Sequence, residues 1–377
     1  MPPARIAVLP GDGIGPEVID AAVGVLREAA SREGVPLEVE WAPIGGAALK
    51  TSGEPLPEST LAACLGADAV LLGAVGDPAF DAEPPPRRPE AGLLKLRRAM
   101  GVFANVRPAR VLPGLEGAGP LKPEVARGLD LVIVRELTGG LYFGQPRSLD
   151  LAGGSAVNTL VYTRAEVERV AEVAFRLAEG RRRRVTSVDK ANVLETSVLW
   201  RTVVEEVGRR HPSVELSHQY VDSAAMALAL SPASFDVVLT ENLFGDVLSD
   251  EAGALVGSLG LLPSASLGRG PGLFEPVHGS APALAGKDAA NPIGAILSAA
   301  MLLRDGLGLP RAAERIEAAV EAVLSSGPRT ADLLPPGAVA GRTSDVARAV
   351  REAVAARRNG RARRPRGEEA EPLRGAA

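Results

Sequence analysis

Two aspartates four residues apart, Asp246 and Asp250 in NLFGDVLSDEAG, are the first residues whose spacing carries chemistry. On a helix they share one face, where like charges repel by roughly 0.2–0.5 kcal/mol. A divalent cation between them relieves that repulsion, and a set of oxygen donors suits Mg²⁺ or Mn²⁺. The same pair also reads as acids favoured at a helix N-terminus. A third carboxylate, Asp222 in HQYVDSAAM, follows a strand and opens a helix, where open α/β sheets build sites. Taken alone it reads as a helix cap. Lys190 in SVDKANVLE stands just beyond another strand. Next to a metal-bound hydroxyl a lysine can lose its proton near neutral pH and act as a base, which arginine cannot do. The alternative is a surface ion pair with Asp189. The chain has only five lysines against 37 arginines, which tilts Lys190 modestly towards function.

Three arginines occupy strand or loop edges: Arg97 in LLKLRR, Arg107 in NVRPAR and Arg135 in VIVRELTGG. Guanidinium groups bind carboxylates bidentately, so three converging on one pocket would fix a di- or tricarboxylic acid. Any single arginine in this chain reads as a solvated charge except Arg135, which ends an apolar run and is costly to bury without an anionic partner. Tyr142 in GGLYFG can donate a proton in a closed site or serve in packing. Gly279, Ser280 and Ala281 let a flat or anionic ligand approach the backbone, and Asn291 can hydrogen-bond an adenine edge. Unaided, that segment is a Gly/Ser/Pro loop.

These residues need elements to place them. Apolar runs at 5–9, 69–74, 129–134, 185–188, 215–221 and 235–240 read as strands, alternating with helical periodicity at 16–30, 166–178 and 316–324. That alternation predicts an α/β protein with helices covering a sheet. The proline-rich stretch 77–89 reads as a surface loop and the glycine-rich 137–163 as a projecting β arm. The 377 residues, 46% of them hydrophobic, can bury a sizeable core. A net charge of −4 argues against nucleic acid as a partner. No apolar run is long enough to cross a membrane and none reads as a signal peptide, so the expected location is the cytoplasm. The single cysteine, Cys64, excludes an internal disulfide. Three histidines are too few for a His-based zinc site. Residues 357–377 mix Arg, Gly, Pro and Glu without apolar period and are expected to be a disordered tail.

The phrases VLPGDGIGPEV, GLLKLR, FANVRPA, VRELTGGLYFG, SVDKANVLE, HQYVDSAAM, NLFGDVLSDEAG, EPVHGSAP and ANPIGAILSAAMLL together resemble the isocitrate/isopropylmalate β-decarboxylating dehydrogenase family over about residues 4–305. The resemblance implies a non-Rossmann two-domain α/β fold, with residues 1–103 plus 257–356 as a cofactor-binding domain and 104–256 as a substrate and metal domain. It further implies a homodimer with shared sites, joined through the arm 137–163. Arg97, Arg107 and Arg135 would hold the malate carboxylates. Asp246 and Asp250, with Asp222 from the other subunit, would hold the metal, and Lys190 would also cross the interface. Lys190 and Tyr142 would be the catalytic base and acid. Ile14, Glu90, Asn192, His278, Gly279, Ser280, Ala281, Ala283 and Asn291 would contact the dinucleotide.

In the resemblance, the residues before the first arginine choose the substrate. Leu93 and Leu94, with Val193 facing them, offer an apolar wall that suits the isopropyl group of 3-isopropylmalate and leaves a third carboxylate unpaired. The implied reaction is oxidative decarboxylation with reduction of NAD, with tartrate, homoisocitrate or another 3-substituted malate as alternative substrates. The family phrase HGSAPDIAG here reads HGSAPALAG, so Ala283 replaces the aspartate that binds the ribose, and NADP becomes an alternative cofactor. A phosphoryl-transfer reading of Asp246 and Asp250 lacks a Walker loop. The glycines of LPGDGIGPEV do not have Rossmann spacing, because Pro16 stands where the last glycine should fall. A tight strand-to-helix turn is the expected structure there.

Overall fold

The computed structural model describes residues 2–356, so the tail expected at 357–377 lies outside the described residues. Among the described residues twelve strands occur in chain order: β1 (Ala4–Gly11), β2 (Leu37–Trp41), β3 (Ala69–Ala74), β4 (Val102–Arg110), β5 (Asp130–Glu136), β6 (Ser148–Asp150), β7 (Ser155–Val157), β8 (Arg184–Asp189), β9 (Glu215–Tyr220), β10 (Val237–Thr240), β11 (Pro263–Gly268) and β12 (Gly272–Pro276). Ten form one sheet in the order β2-β1-β3-β12-β11-β4-β5-β10-β8-β9. Strands β2, β1, β3 and β12 are mutually parallel, as are β5, β10, β8 and β9. The chain direction is reversed across the antiparallel pairs β12–β11, β11–β4 and β4–β5. The sheet therefore consists of two parallel blocks running in opposite senses, joined by an antiparallel middle.

Local chemistry explains the helices. Helix Gly15–Arg32 starts with Pro16, whose missing N–H costs nothing in a first turn, and it buries Val18, Ala22, Val25 and Ala29 on one face. It packs with helices Ile293–Met301, Pro310–Ser326 and Thr343–Ala356 beside the first block. Helix Arg164–Glu179 opens with a reciprocal capping box between Thr163 and Glu166 and lies against the second block with Glu195–Gly208. Segment 77–89 has no strand and holds two short 3₁₀ turns, Pro78–Phe80 and Pro85–Arg87. In 137–163 the β6–β7 hairpin stands out from the body, with Leu149 70% and Leu151 83% exposed. Among the described residues no helix is long and apolar enough to cross a membrane.

Candidate active site

Strands β4 and β5 build the floor of the site. Asn105 lies opposite Arg135 in their register, so Asn105, Arg107 and Arg135 share one face of the sheet. Arg135 is 3% exposed. Its Nε and Nη2 donate to Asn242 Oδ1 at 3.1 and 2.8 Å, and its Nη1 donates to Asp246 Oδ1 at 2.5 Å. The anionic partner that its burial demanded is thus Asp246. Arg107 Nε donates to Asn105 Oδ1 at 2.6 Å and its Nη1 to Ser249 Oγ at 2.7 Å, with Asp246 and Asp250 at 3.8 and 3.5 Å. Burial, then repulsion from Arg135, draws the Arg107 guanidinium down to about 10. Burial likewise lowers Arg135, with Arg97 adding repulsion that Asp246 opposes. Each arginine thus faces a carboxylate, Arg97 Glu275, Arg107 Asp250 and Arg135 Asp246, and the cluster is locally balanced.

The two aspartates lie on helix Asn242–Leu255. That helix begins at Asn242 with Glu241 as its cap, accepting from the Phe244 N–H at 3.0 Å, so both aspartates fall beyond the first turn and are not helix-start acids. Helix and sheet approach so closely that a Cβ on Gly245 would come within 2.6 Å of Arg135 Cγ, which is why NLFGD carries glycine there. Burial works to raise the Asp246 carboxyl, but Arg135, the Tyr142 hydroxyl and Arg107 hold it below its ordinary range. Asp250 is pushed up by burial and by Asp246 against the pull of Arg107.

Tyr142 reaches the same cluster from the turn after β5, where Glu136 accepts from Thr138 and Gly139 N–H groups and fixes the backbone. Its hydroxyl donates to Asp246 Oδ2 at 2.8 Å, and burial, then Asp246, pushes the phenol up to about 12. It remains a proton donor at neutral pH. Arg97 lies in the last turn of helix Pro89–Met100, not on the strand or loop edge expected from sequence. It donates to buried Glu275 at 2.6 Å, while its Nε is buried without a partner. On the same helix Leu93 is half-buried and Leu94 exposed.

Lys190 and Asp222 form a separate group. Lys190 Nζ donates to Asp222 Oδ1 at 2.6 Å, so its ion pair is with Asp222 and not with Asp189, whose carboxylate is taken by Arg201. The Lys190 ammonium holds Asp222 below the usual carboxylate range. Asp222 is in the first turn of helix Val221–Leu230, where Tyr220 occupies the cap position, so it is not the cap. Asn192 and Val193 are exposed on the turn after Lys190. Among the described residues no group of three His, Cys, Asp or Glu side chains is placed to hold a metal ion. The three aspartates therefore do not meet within one chain.

A third group surrounds the opening turn. Ile14 N–H donates to Ser280 O at 2.8 Å, and a Cβ on Gly13 (φ +56°) would lie 1.9 Å from that oxygen. A Cβ on Gly76 would lie 3.3 Å from Ser280 Oγ and 3.4 Å from Glu90 Oε1, so Ile14, Ser280 and Glu90, far apart in sequence, line one recess. Ala281 takes the left-handed conformation, φ +38°, and Gly279 and Ala283 are exposed beside it. His278 Nε2 is buried without a partner, and burial keeps the ring neutral by lowering its pKa. Asn291 accepts from Ile293 N–H at 3.0 Å and donates to Asp332 at 2.9 Å, so its amide already anchors the next helix.

Sequence reasoning missed several members. Asp12, 6% exposed, accepts from the Gly46, Ala47 and Gly76 N–H groups at 2.8, 2.7 and 2.9 Å and ties the turn to the recess wall. Glu275, Asn242 and Ser249 position the three arginines. The buried acid inside GDG was the one signal available beforehand.

Comparisons with known proteins agree with one another. The family model for isocitrate/isopropylmalate dehydrogenase matches residues 5–350. A relative from Gloeobacter violaceus, named 3-isopropylmalate dehydrogenase, is 55% identical over 89% of this chain and 93% of its own. One of the same name from Geobacillus kaustophilus is 55% identical over 93% of this chain and 95% of its own. Among solved structures, an isocitrate dehydrogenase from Methylococcus capsulatus matches with a TM-score of 0.83 at 36% identity, covering 93% of this chain and 99% of its own. A β-decarboxylating dehydrogenase from Thermococcus kodakarensis matches with a TM-score of 0.76 at 40% identity, covering 93% and 96%.

Proposed function

The chain belongs to the isocitrate/isopropylmalate dehydrogenase family, and we propose that it oxidatively decarboxylates (2R,3S)-3-isopropylmalate to 4-methyl-2-oxopentanoate in leucine biosynthesis, with NAD as oxidant and Mg²⁺ or Mn²⁺ bound. The observation that carries this reading is the convergence of Arg107 and Arg135 on Asp246, Asp250 and Tyr142, with Arg97 adding charge to the same cluster. Buried guanidinium groups held in a fixed array, freed when a cation takes Asp246 and Asp250, suit a substrate with two carboxylates. Helix Pro89–Met100 presents Leu93 and Leu94 with Arg97, which favours an apolar substituent over a third carboxylate.

The residues suit a divalent cation and a dinucleotide. Asp246 and Asp250 are hard oxygen donors one helical turn apart, completed by Asp222 only if a second subunit supplies it. The recess of Ile14, Glu90 and Ser280, with the orphaned His278 Nε2 at its edge, suits a flat polar cofactor. When bound, the nicotinamide accepts hydride and the divalent cation polarises the substrate hydroxyl and the adjacent carboxylate.

The chain's own groups do the rest. Arg97, Arg107 and Arg135 bind and orient the carboxylates. Lys190, delivered in trans, takes the proton of the hydroxyl as hydride leaves C2. The resulting β-keto acid loses the C3 carboxylate as CO₂, and the Tyr142 phenol protonates the enolate carbon. The balance is substrate plus NAD⁺ giving keto acid, CO₂ and NADH.

Subunit sharing is supported by surface chemistry. Met226 and Leu230 on one helix and Val247 on the helix packed against it are 60%, 68% and 59% exposed, an apolar face fitting a second copy. The arm's Leu149 and Leu151 extend the same need. We place the enzyme in the cytoplasm. The deciding measurement is absorbance at 340 nm with 3-isopropylmalate, isocitrate, homoisocitrate or tartrate, Mg²⁺, and NAD or NADP. Turnover with 3-isopropylmalate and NAD exceeding all other pairs is expected, and its absence overturns the proposal. Ala283, which neither binds ribose hydroxyls nor repels a 2′-phosphate, makes NADP the second reading for the cofactor.

A further inference from the structure

We propose that Arg201 is a positioning residue for the proton transfer assigned to Lys190, acting through Asp189 and the Tyr220 ring. The inference rests on the reading of Lys190 as the base. Asp189 ends β8 immediately before Lys190 and is 1% exposed, so its carboxylate needs a counter-charge. Arg201, on helix Glu195–Gly208, supplies one bidentately: Nε donates to Oδ2 at 3.0 Å and Nη2 to Oδ1 at 2.9 Å. The same Oδ1 accepts the Ala191 N–H at 2.9 Å, so the guanidinium and the backbone on the far side of Lys190 are fastened to one carboxylate.

The backbone of Lys190 has no slack. Its N–H donates to Ser197 Oγ at 3.1 Å, and its carbonyl accepts from Val193 and Leu194 at 2.9 and 3.0 Å. Beyond the backbone, one aromatic ring serves both cations. Lys190 Nζ lies 5.8 Å and Arg201 Cζ 5.4 Å from the Tyr220 centroid, both within cation–π range. Tyr220 ends β9, beside β8 in the sheet, and directly precedes the helix carrying Asp222. Arg201 therefore fixes the turn from below, through Asp189, and the ring that the ammonium faces. His218 cannot take its place. Its Nδ1 is 4.0 Å from Asp189, beyond hydrogen-bond reach, so it offers no fork to the carboxylate.

Lysine at 201 retains charge but offers no planar fork, so it cannot hold both carboxylate oxygens. A base displaced by about 1 Å loses rate without losing substrate affinity, since the arginines that bind substrate belong to other elements.

The test uses the full chain with Mg²⁺, NAD and 3-isopropylmalate. Arg201→Gln and Tyr220→Leu should each lower kcat roughly 10- to 100-fold while both KM values stay within about threefold. Tyr220→Phe, which keeps the ring, should restore kcat to within about twofold of the parent, whereas Arg201→Lys should not. Tyr220 is 38% exposed, so its variants probe the idea even where Arg201→Gln folds poorly. Lys190→Ala run alongside separates the two readings. If it abolishes turnover while Tyr220→Leu and folded Arg201 variants keep the parent kcat, Arg201 has no positioning role. If Lys190→Ala itself keeps the parent kcat, the assignment of the base falls, and this inference with it.

Discussion

The arginine–aspartate cluster and the Lys190–Asp222 pair, which the proposed function assigns to one reaction, are built differently. The first is assembled within one chain: Arg135 is 3% exposed, and each of its donor nitrogens, like Nε and Nη1 of Arg107, faces an oxygen already in place. The second stands at the surface, with the Asp222 side chain 68% exposed and its charge partner Lys190 27% exposed. On the proposed function, the charges that bind a substrate anion can be preorganised because they are neutralised locally beforehand, whereas a base and a metal ligand serving a neighbouring subunit have to stay accessible and pair with each other in the free chain.

The sharpest way to break this contrast is Lys190→Ala. It should lower kcat about 10²- to 10⁴-fold with no loss of thermal stability, because an exposed ion pair contributes little to folding. Arg135→Ala should do the opposite in kind. It strips buried Asn242 Oδ1 of its donor and Asp246 of one partner, so kcat/KM falls at least 10²-fold and stability drops by about 1–3 kcal/mol, readable as a lower denaturant midpoint. Equal stability losses for the two variants would erase the distinction. Tyr142→Phe lies between them, with kcat reduced about 10²-fold and the fold unaffected.

Mixing tests where the pair works. Asp222→Ala and Asp246→Ala homodimers should each be inactive, yet refolding them together in equal amounts should restore roughly a quarter of parental activity, since half of the dimers would be mixed and each would hold one intact site. No recovery would mean that Asp222 serves its own chain. The smallest expected effect is at the cofactor recess, where Ala283→Asp should raise the ratio of kcat/KM for NAD over NADP roughly tenfold.

Much of the fold was legible because it is periodic. The strands at 69–74 and 215–221 and the helices at 16–30 and 166–178 appear within a residue or two of their expected bounds. Strands β11 and β12 were not legible. PSASLG and GLFEP carry Pro, Ser and Gly, and they are strands because the antiparallel middle of the sheet buries every residue of both. Among residues of the candidate site, those with an unusual type in an apolar or glycine-rich setting stood out in the sequence, including Arg135, Lys190 and Tyr142. Glu275 and Ser249 were not, since an isolated glutamate or serine has no distinguishing spacing.

By itself the sequence determined the alternation of strands and helices and the chemical types at the site, because hydrophobic period and side-chain identity are local properties. Tertiary structure alone decided the pairings. Arg135 could have met many acids, and the register of β4 on β5, with Gly245 admitting the helix above them, selected Asp246. Asp189 was the nearest acid to Lys190 in sequence, yet Arg201 claimed it and left the lysine to Asp222. Which charges neutralise one another depends on distances between elements remote in the chain, and only the packed fold sets those distances.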